Sequence, residues 1–441
     1  MLFTMKKLKE QQHQASPLQI LTRRILPITL YAILPIAIFR MYFSHLPEPQ
    51  SPKFHQPQII NPDVKMKRVG DIRTCNYTEG KWVQSRLGPL YNGTSCGTIK
   101  EGQNCQTHGR TDVGYLHWRW KPHDCPLPRF DPNLFLKLMR NKHLAYVGDS
   151  LARNQLESLL CMVATVSSQQ LVYTDGVEHK FRRWYLVSHN VTVSIYWSPF
   201  LVAGVEKSST GLDHNKLYLD SVNERWAKDL WEIDVIVLSI GHWFLHPAVY
   251  YEGGSVLGCH YCPGLNHTEI GFYEVYRKAV RTALRSVIDR RGGDESHRID
   301  MFLTTFTPSH FEGEWDSPGA CSKTRPYKTG EKTLEGMDAE MRRVEIEEVE
   351  AAQEIVKLSS GVRLEVLDVT ELALLRPDAH PGPYMNPFPF ADGPKERVQN
   401  DCVHWCLPGP IDTWNEILLD VMKRWEQKQR SSASTIALHI N

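Results

Sequence analysis

The chain has 441 residues, of which 41% are hydrophobic. This length and composition suffice for one large globular domain, or for such a domain with an appended module. The formal net charge is only +1, which argues against a nucleic-acid-binding protein whose affinity depends on phosphate contacts. A membrane surface or an uncharged polymer is a more natural partner for this chain.

The first 73 residues predict a membrane anchor and a spacer. Residues 25–43 are mostly apolar, with Arg40 as the one charged residue, and approach the length that crosses a bilayer. Residues 1–24 are predicted to be cytosolic because basic residues precede the span; these are Lys6, Lys7, Lys9, Arg23 and Arg24. Residues 44–73 are rich in proline and predict an extended stalk. A cleaved signal peptide or a buried segment is the alternative, but no convincing small-residue cleavage site follows.

The features after the anchor indicate a lumenal protein. The short span favours a Golgi membrane, in which the chain would be a single-pass type II protein. Four sequons for N-glycosylation begin at Asn76, Asn92, Asn190 and Asn266. All ten cysteines follow the anchor, which predicts disulfide bonds in an oxidising compartment. A zinc site is the alternative for the closely spaced Cys259, Cys262, Cys402 and Cys406.

Beyond residue 73 the sequence predicts two folded parts and a tail. Residues 74–130 are rich in cysteine, glycine and aromatic residues without helical periodicity, which predicts strands and loops held by disulfides. Residues 131–430 alternate strand-like and helical segments, as in a mostly parallel sheet covered by helices on both faces. Strands are predicted at 144–147, 191–197, 235–240, 301–305 and 364–369, and helices after Ser150 and at 272–290, 331–358 and 412–425. Residues 431–441 are predicted to be a flexible tail.

The turn Gly148-Asp149-Ser150 is the first candidate for chemistry. It lies between a buried strand and a helix, at the carboxyl edge of the predicted sheet, where open α/β sheets place their sites. A serine there has its backbone N–H at the positive end of the helix, which suits a nucleophile whose attack creates an oxyanion. The alternative is that Ser150 only caps the helix.

A second motif supplies what a serine nucleophile needs. The hydroxyl is a poor nucleophile at neutral pH unless an imidazole takes its proton and a carboxylate orients that imidazole. Asp401 and His404, in Asn400-Asp-Cys-Val-His-Trp-Cys406, provide both groups. Asp368 also ends a predicted strand and is the alternative acid of such a triad.

These motifs resemble those of a known family. Gly-Asp-Ser with a late Asp-x-x-His is the pattern of the SGNH (GDSL-type) esterases. The longer strings Val147-Gly-Asp-Ser-Leu-Ala-Arg-Asn-Gln155 and Asp401-Cys-Val-His-Trp-Cys-Leu-Pro-Gly-Pro410 resemble the plant trichome-birefringence-like O-acetyltransferases of the PC-esterase group. Cys75-Asn-Tyr-Thr-Glu-Gly-Lys-Trp82 resembles the start of that family's N-terminal module. The resemblance covers roughly residues 70 to 427 and implies an SGNH-like α/β/α sandwich.

The resemblance also implies an activity. Members of the family move an acetyl group through an acetyl-serine to a hydroxyl of a cell-wall polysaccharide, and the string from Lys395 to His404 is most similar to members that acetylate xyloglucan galactose. Mannan or xylan acetylation, hydrolysis by an acetylesterase, and non-catalytic polysaccharide binding are the alternatives. The sequence carries no motif for a metal, nucleotide or flavin, so we expect only an acetyl donor as co-substrate. Acetyl-CoA or a carrier supplied by a membrane partner would serve.

The resemblance further implies disulfide pairs and supporting site residues. The implied pairs are Cys75–Cys125, Cys96–Cys161, Cys105–Cys402, Cys321–Cys406 and Cys259–Cys262. The oxyanion is expected to be bound by the N–H groups of Ser150 and Gly241, with Asn154 as a side-chain donor. Asn154 is considered because Ser239 stands where the family usually has the asparagine of Asn-Thr-Gly-His-Trp. The candidate substrate contacts are Arg153, His242, Trp243, His380, Tyr384 and Trp405.

Overall fold

The structure is a computed structural model that describes residues 75–439 except 176–178, 209, 210, 263 and 360, with side chains to residue 431. The predicted cytosolic tail, anchor and stalk lie outside these residues. None of the described helices is long and apolar enough to cross a membrane.

The described residues form thirteen strands and seven α-helices. The strands are β1 (Gly80–Gln84), β2 (Trp118–Pro122), β3 (His143–Gly148), β4 (Gln169–Thr174), β5 (Phe181–Leu186), β6 (Val191–Trp197), β7 (Val202–Val205), β8 (Asn215–Val222), β9 (Val235–Ser239), β10 (Ala248–Glu252), β11 (Ser255–His260), β12 (Ile299–Thr304) and β13 (Val362–Leu367). The helices are α1 (Pro132–Leu138), α2 (Ser150–Ala164), α3 (Glu224–Ala227), α4 (Tyr273–Arg291), α5 (Gly336–Val356), α6 (Thr370–Leu374) and α7 (Asp412–His439).

The central sheet has seven strands in the order β13-β12-β9-β3-β6-β5-β4. From β13 to β6 all neighbours are parallel, and every residue of β3 is buried. After β3 the chain builds one side of the sheet with β4 to β6 and then returns to the other side with β9. The carboxyl end of β3 therefore lies at the point where the strand order reverses, which is where open α/β sheets form a crevice.

The prediction of a mostly parallel architecture is wrong, because the sheets are mixed. Strands β4, β5 and β6 are joined by short connections, which allow only antiparallel pairing. A second sheet, in the order β11-β10-β8-β7, contains two antiparallel pairs and one parallel pair. The coarser prediction of an α/β fold is confirmed.

Helices cover both faces of the central sheet. On one face Leu144 and Tyr146 of β3 belong to a hydrophobic core that includes residues of α2 and α7. On the other face Ala145 and Val147 belong to a second core with residues of α4 and α5. Because successive strand residues point to opposite faces, one apolar strand anchors both cores.

Contacts between residues far apart in the sequence attach the N-terminal segment, residues 75–126, to the larger part of the molecule. Strands β1 and β2 form a two-stranded antiparallel sheet. The indole N–H of Trp82 donates to the carbonyl oxygen of Leu372 at 2.8 Å, and the hydroxyl of Tyr91 donates to the Asp412 carboxylate at 2.9 Å. This segment is therefore packed on the larger part through buried polar as well as apolar contacts.

Five disulfides connect the ten cysteines, and two of the expected pairs are exchanged. Cys75–Cys125, Cys96–Cys161 and Cys259–Cys262 are as expected, but the structure pairs Cys105 with Cys406 and Cys321 with Cys402. All four cysteines of the zinc alternative are therefore in disulfide bonds.

The backbone contacts of the last two cysteines explain the exchange. The N–H of Leu407 donates to the carbonyl oxygen of Gln103 at 2.8 Å, which holds Cys406 against the segment that carries Cys105. The N–H of His310 donates to the carbonyl oxygen of Cys402 at 3.0 Å, on the side where Cys321 lies. The two cysteines that flank His404 thus face different parts of the molecule.

Peptide mapping of the unreduced protein tests this connectivity. We expect cleavage after Trp405 to separate Cys402 from Cys406 and to yield Cys105–Cys406 and Cys321–Cys402 as distinct linked peptides, read by mass spectrometry. The reduced sample is the control. A peptide that links Cys105 to Cys402 would contradict the structure.

Candidate active site

The β3–α2 turn holds Ser150 in a defined position. Ser150 is the first residue of α2, is partly buried, and follows Asp149, whose carboxylate accepts the N–H of Leu151 at 2.9 Å and caps the helix. Gly148 is required because a Cβ atom there would lie 1.8 Å from the carbonyl oxygen of Ser239. The backbone N–H of Ser150 has no acceptor within the helix because it lies in the first turn, so it can serve an oxyanion.

Asp401 and His404 form a hydrogen-bonded pair. The Nδ1 atom of His404 lies 2.7 Å from Oδ2 of Asp401, while Oδ1 accepts the N–H groups of Val403 and His404 at 3.0 and 2.9 Å. Burial acts to raise the pKa of Asp401, but the charge and hydrogen bonds of His404 outweigh it and lower that pKa below its usual range. A carboxylate held ionised in this way fixes Nδ1 as the donor. The Nε2 atom is then unprotonated and can accept a proton.

The Nε2 atom of His404 is buried and has no hydrogen-bond partner among the described residues. A buried nitrogen without a partner is costly unless a ligand or a reacting group supplies one. This nitrogen is therefore available to take a proton from a hydroxyl.

Asn154 joins the helix of Ser150 to the segment of His404. Its Oδ1 accepts the N–H of Trp405 at 2.8 Å, and its Nδ2 donates to the carbonyl oxygen of Trp405 at 3.3 Å and to Oε1 of Gln103 at 3.2 Å. Asn154 lies one turn after Ser150, and Trp405 follows His404. The clamp, by which we mean these Asn154 contacts, holds the segment of His404 against the first turns of α2, although Nε2 of His404 and the hydroxyl of Ser150 are not hydrogen-bonded to each other.

The pKa of Asp149 is a second sign that the helix of Ser150 and the segment of His404 are close. Burial raises the pKa of Asp149 to about 6, and the N–H of Leu151 and the charge of His404 act against that rise. His404 therefore lies within electrostatic reach of the residue next to Ser150.

The three predicted oxyanion donors have different surroundings in the structure. Asn154 does not fit the role, because its side chain is fully buried and both ends of its amide are already hydrogen-bonded. The N–H of Gly241 also acts against the rise in the pKa of Asp149, so it faces that carboxylate. No described group lies within hydrogen-bonding geometry of Oδ2 of Asp149. The N–H of Ser150 is the donor best placed for an oxyanion, and Gly241 stays a prediction.

Of three further candidate substrate contacts, His242 lies near the pair, and Trp243 and Arg153 contact Trp197. The charges of His404 and Asp401 both affect the pKa of His242. Burial lowers that pKa to about 4, so the ring is neutral. Its Nε2 donates to the carbonyl oxygen of Thr307 at 2.9 Å. Trp243 packs edge-on against Trp197, with ring centres 5.6 Å apart. The guanidinium of Arg153 lies 5.5 Å from the centre of the Trp197 ring. All three candidate side chains are partly exposed.

Two other candidates are interior residues. His380 and Trp405 have 3% and 0% of their surface exposed, so a substrate does not reach them here, in disagreement with the prediction. Instead the Nδ1 of His380 donates to the carbonyl oxygen of His404 at 2.7 Å, and its ring stacks on Trp405 at 4.2 Å. Tyr384 is partly exposed, and its carbonyl oxygen lies 2.8 Å from Nδ1 of His108.

His310 is a supporting residue that the sequence analysis missed. Its Nδ1 lies 2.7 Å from Nε2 of His380, and its Nε2 donates to the carbonyl oxygen of Leu374 at 2.8 Å. A row of histidines therefore runs from Leu374 to the backbone of His404. No spacing in the sequence indicates His310, because its contacts are all made by distant segments.

The remaining candidates are also placed. The alternative acid Asp368 is bound on both oxygens by Arg342 and accepts the Thr305 hydroxyl at 3.2 Å, so it is not the partner of His404. The four sequon asparagines are all exposed, which is compatible with the glycosylation that remains predicted.

Comparison with known proteins identifies the family. Residues 127–421 match the PC-Esterase model, described as a GDSL/SGNH-like acyl-esterase family found in Pmr5 and Cas1p, and residues 73–126 match the PMR5 N-terminal domain. The chain therefore belongs to the PC-esterase family.

Individual relatives show which proteins within the family are similar to this chain. The chain is 63% identical over 414 residues to xyloglucan O-acetyltransferase 1 of Populus trichocarpa, covering 93% of this chain and 96% of that protein. It is 54% identical over 434 residues to xyloglucan O-acetyltransferase 1 of Arabidopsis thaliana, covering 95% and 99%. It is also 43% identical over 364 residues to protein trichome birefringence-like 25 of Arabidopsis thaliana, covering 81% and 78%. The resemblance found in the sequence is confirmed.

Replacement of Asn154 by alanine tests the clamp. The change leaves the buried N–H of Trp405 without an acceptor, which typically costs about 1–3 kcal/mol. We expect a loss of unfolding free energy of that size in urea, together with reduced activity because the His404 segment is released. Asn386→Ala, at an exposed position, is the control. Wild-type stability in Asn154→Ala would contradict the role of the clamp.

Proposed function

We propose that this protein is a xyloglucan O-acetyltransferase that acetylates hydroxyls of side-chain galactose. One observation carries the proposal: an Asp401–His404 pair with a free Nε2 is held against the helix that begins with Ser150. The relatives named above, which match nearly the whole chain, support xyloglucan as the acceptor.

The mechanism is a double displacement. His404 Nε2 takes the proton of the Ser150 hydroxyl, and Ser150 Oγ attacks the acetyl carbonyl of the donor. The N–H of Ser150 stabilises the oxyanion, the leaving group departs with the proton from His404, and an acetyl-serine remains. A sugar hydroxyl, deprotonated by the same nitrogen, then attacks the acetyl group and restores Ser150. Loss of one oxyanion donor typically costs roughly 3 kcal/mol of barrier.

Asp401 supports both halves of this cycle. Its lowered pKa keeps it ionised across the physiological range, so it stabilises each imidazolium that forms and holds the same tautomer throughout. The backbone N–H groups that bind Oδ1 fix the carboxylate in the plane it needs.

Replacing Ser150 by alanine tests the mechanism. We expect acetyl transfer to xyloglucan oligosaccharides to fall by at least about a thousandfold, because the nucleophile is lost. The melting temperature should be unchanged, because Asp149 rather than Ser150 caps the helix. Ser168→Ala, an exposed serine just beyond the same helix, is the matched control.

The assay weighs the sugar products and measures free acetate with xyloglucan, mannan and xylan fragments in parallel. Acetylated xyloglucan supports the proposal. Acetylated mannan or xylan alone would change the acceptor, and free acetate without acetylated sugar would indicate an esterase. Wild-type transfer by Ser150→Ala would refute the mechanism.

We also propose that the protein is a single-pass type II protein of the Golgi membrane with its catalytic part in the lumen. The apolar span 25–43, the five disulfides and the four exposed sequons support this placement. In sealed Golgi vesicles, a C-terminal epitope should survive added protease until detergent opens the membrane. Digestion of the epitope without detergent would reverse the orientation.

A further inference from the structure

A groove of about 630 Å³ opens beside the first turns of α2. We call it the basic groove; its charged and aromatic lining residues come from three segments and are Lys100, Arg153, Glu157, His179, Arg182 and Trp184. Arg153 is three residues after Ser150, and residues at this spacing are neighbours on a helix surface. The basic groove therefore starts one turn from the proposed nucleophile.

The basic groove holds more positive than negative charge. Three of its side chains are cationic, and Glu157 is its one carboxylate. Both oxygens of Glu157 are already bound, one by the guanidinium of Arg182 at 3.0 Å and the other by the backbone N–H of Lys100 at 3.2 Å. No described residue forms an ion pair with the ammonium of Lys100 or the guanidinium of Arg153.

These cations lie close to one another and are partly buried. The Nε atoms of Arg153 and Arg182 are buried and have no hydrogen-bond partner among the described residues. Burial lowers the pKa of Lys100, and the charge of Arg153 lowers it further. The Arg182 guanidinium lies 5.0 Å from the centre of the Trp184 ring, which restricts its motion. An anionic ligand would relieve this repulsion.

The proposed acceptor gives no reason for such a surface. Xyloglucan is an uncharged polysaccharide, and its hydroxyls bind to neutral polar groups as well as to cations. Guanidinium and ammonium groups together are instead the usual partners of phosphate oxygens, with which they form charge-assisted hydrogen bonds. The charge points to the donor rather than to the acceptor.

We propose that the basic groove binds the phosphate groups of an acetyl thioester donor of the coenzyme A class. The inference rests on the proposed function and extends it to the donor. Ser150 Oγ forms a bond to the thioester carbonyl carbon, the C–S bond breaks, and the sulfur leaves with the proton that His404 took from Ser150. No oxidant or further reactant is needed.

The basic groove extends away from Ser150 along α2. Glu157 lies seven positions after Ser150, which corresponds to about 10 Å along the helix axis. The charge of Asp401 acts against the fall in the pKa of Lys100, so the two groups lie within electrostatic reach of each other. The thioester can therefore lie at Ser150 while the phosphates lie among the three cations.

Two acetyl donors, one with phosphate groups and one without, separate phosphate binding from acetyl transfer. The full-length chain is assayed with acetyl-CoA and with the phosphate-free thioester S-acetyl-N-acetylcysteamine, using xyloglucan oligosaccharides and the variants Lys100→Gln and Lys100→Glu. We expect the KM for acetyl-CoA to rise by about tenfold in Lys100→Gln and further in Lys100→Glu, because both variants lose a charge-assisted hydrogen bond to phosphate and the second adds repulsion. Transfer from the phosphate-free donor should be unchanged.

Lys137→Gln, on an exposed face of α1, is the matched control and should leave both donors unaffected. An unchanged KM for acetyl-CoA in Lys100→Glu would overturn the inference. An equal loss with both donors would also overturn it, because the lysine would then serve the acceptor or the fold. If wild type forms acetyl-Ser150 from the phosphate-free thioester but not from acetyl-CoA, the proposed function stands and the donor assignment fails. If neither donor acetylates Ser150, the proposed function itself fails.

Discussion

The hydrogen bonds between Asn154 and the backbone of Trp405 are the contact on which the rest of the site depends. They join residues 251 positions apart and lie in the protein interior, where a polar group must be paired. Every other part of the site has local support: Asp149 caps the helix of Ser150, and Asp401 binds the backbone of its own loop. The clamp links the helix of the proposed nucleophile directly to the backbone next to the proposed base.

The surroundings of His404 show how a loop can hold the proposed base in place without regular secondary structure. The disulfides at Cys402 and Cys406 tie the loop to two different segments, and His380 binds the carbonyl oxygen of His404 from a third direction. Loops are usually the mobile part of a fold. Here covalent and polar ties on several sides replace the rigidity that a helix or strand would provide.

The sequence predicted those features whose cause is local. The apolar run Val191–Trp197 is β6 with the expected bounds, and the strings around Ser150 and His404 carried the catalytic candidates and the family. The prediction from sequence failed where contacts between distant segments determine the structure. The sequence of α5 does not indicate that Glu345 is buried, because Tyr276 and the N–H of Phe306, which bind its carboxyl group, come from distant segments. Spacing could not tell Cys402 from Cys406, since their partners depend on which segments pack on each side of the loop. The alternating pattern of β8 is a local signal for a strand, although no strand was predicted there.

The bond between Cys105 and Cys406 spans 301 residues, and its second sulfur belongs to a residue close to the end of the chain. A ribosome has therefore made the serine long before it makes the histidine. An unfinished polypeptide contains the proposed nucleophile without the proposed base, so the proposed mechanism requires the later residues to be made first. A truncation ahead of residue 401 removes the proposed base and acid together with Cys402 and Cys406, so the proposed mechanism implies complete loss of activity rather than weaker activity.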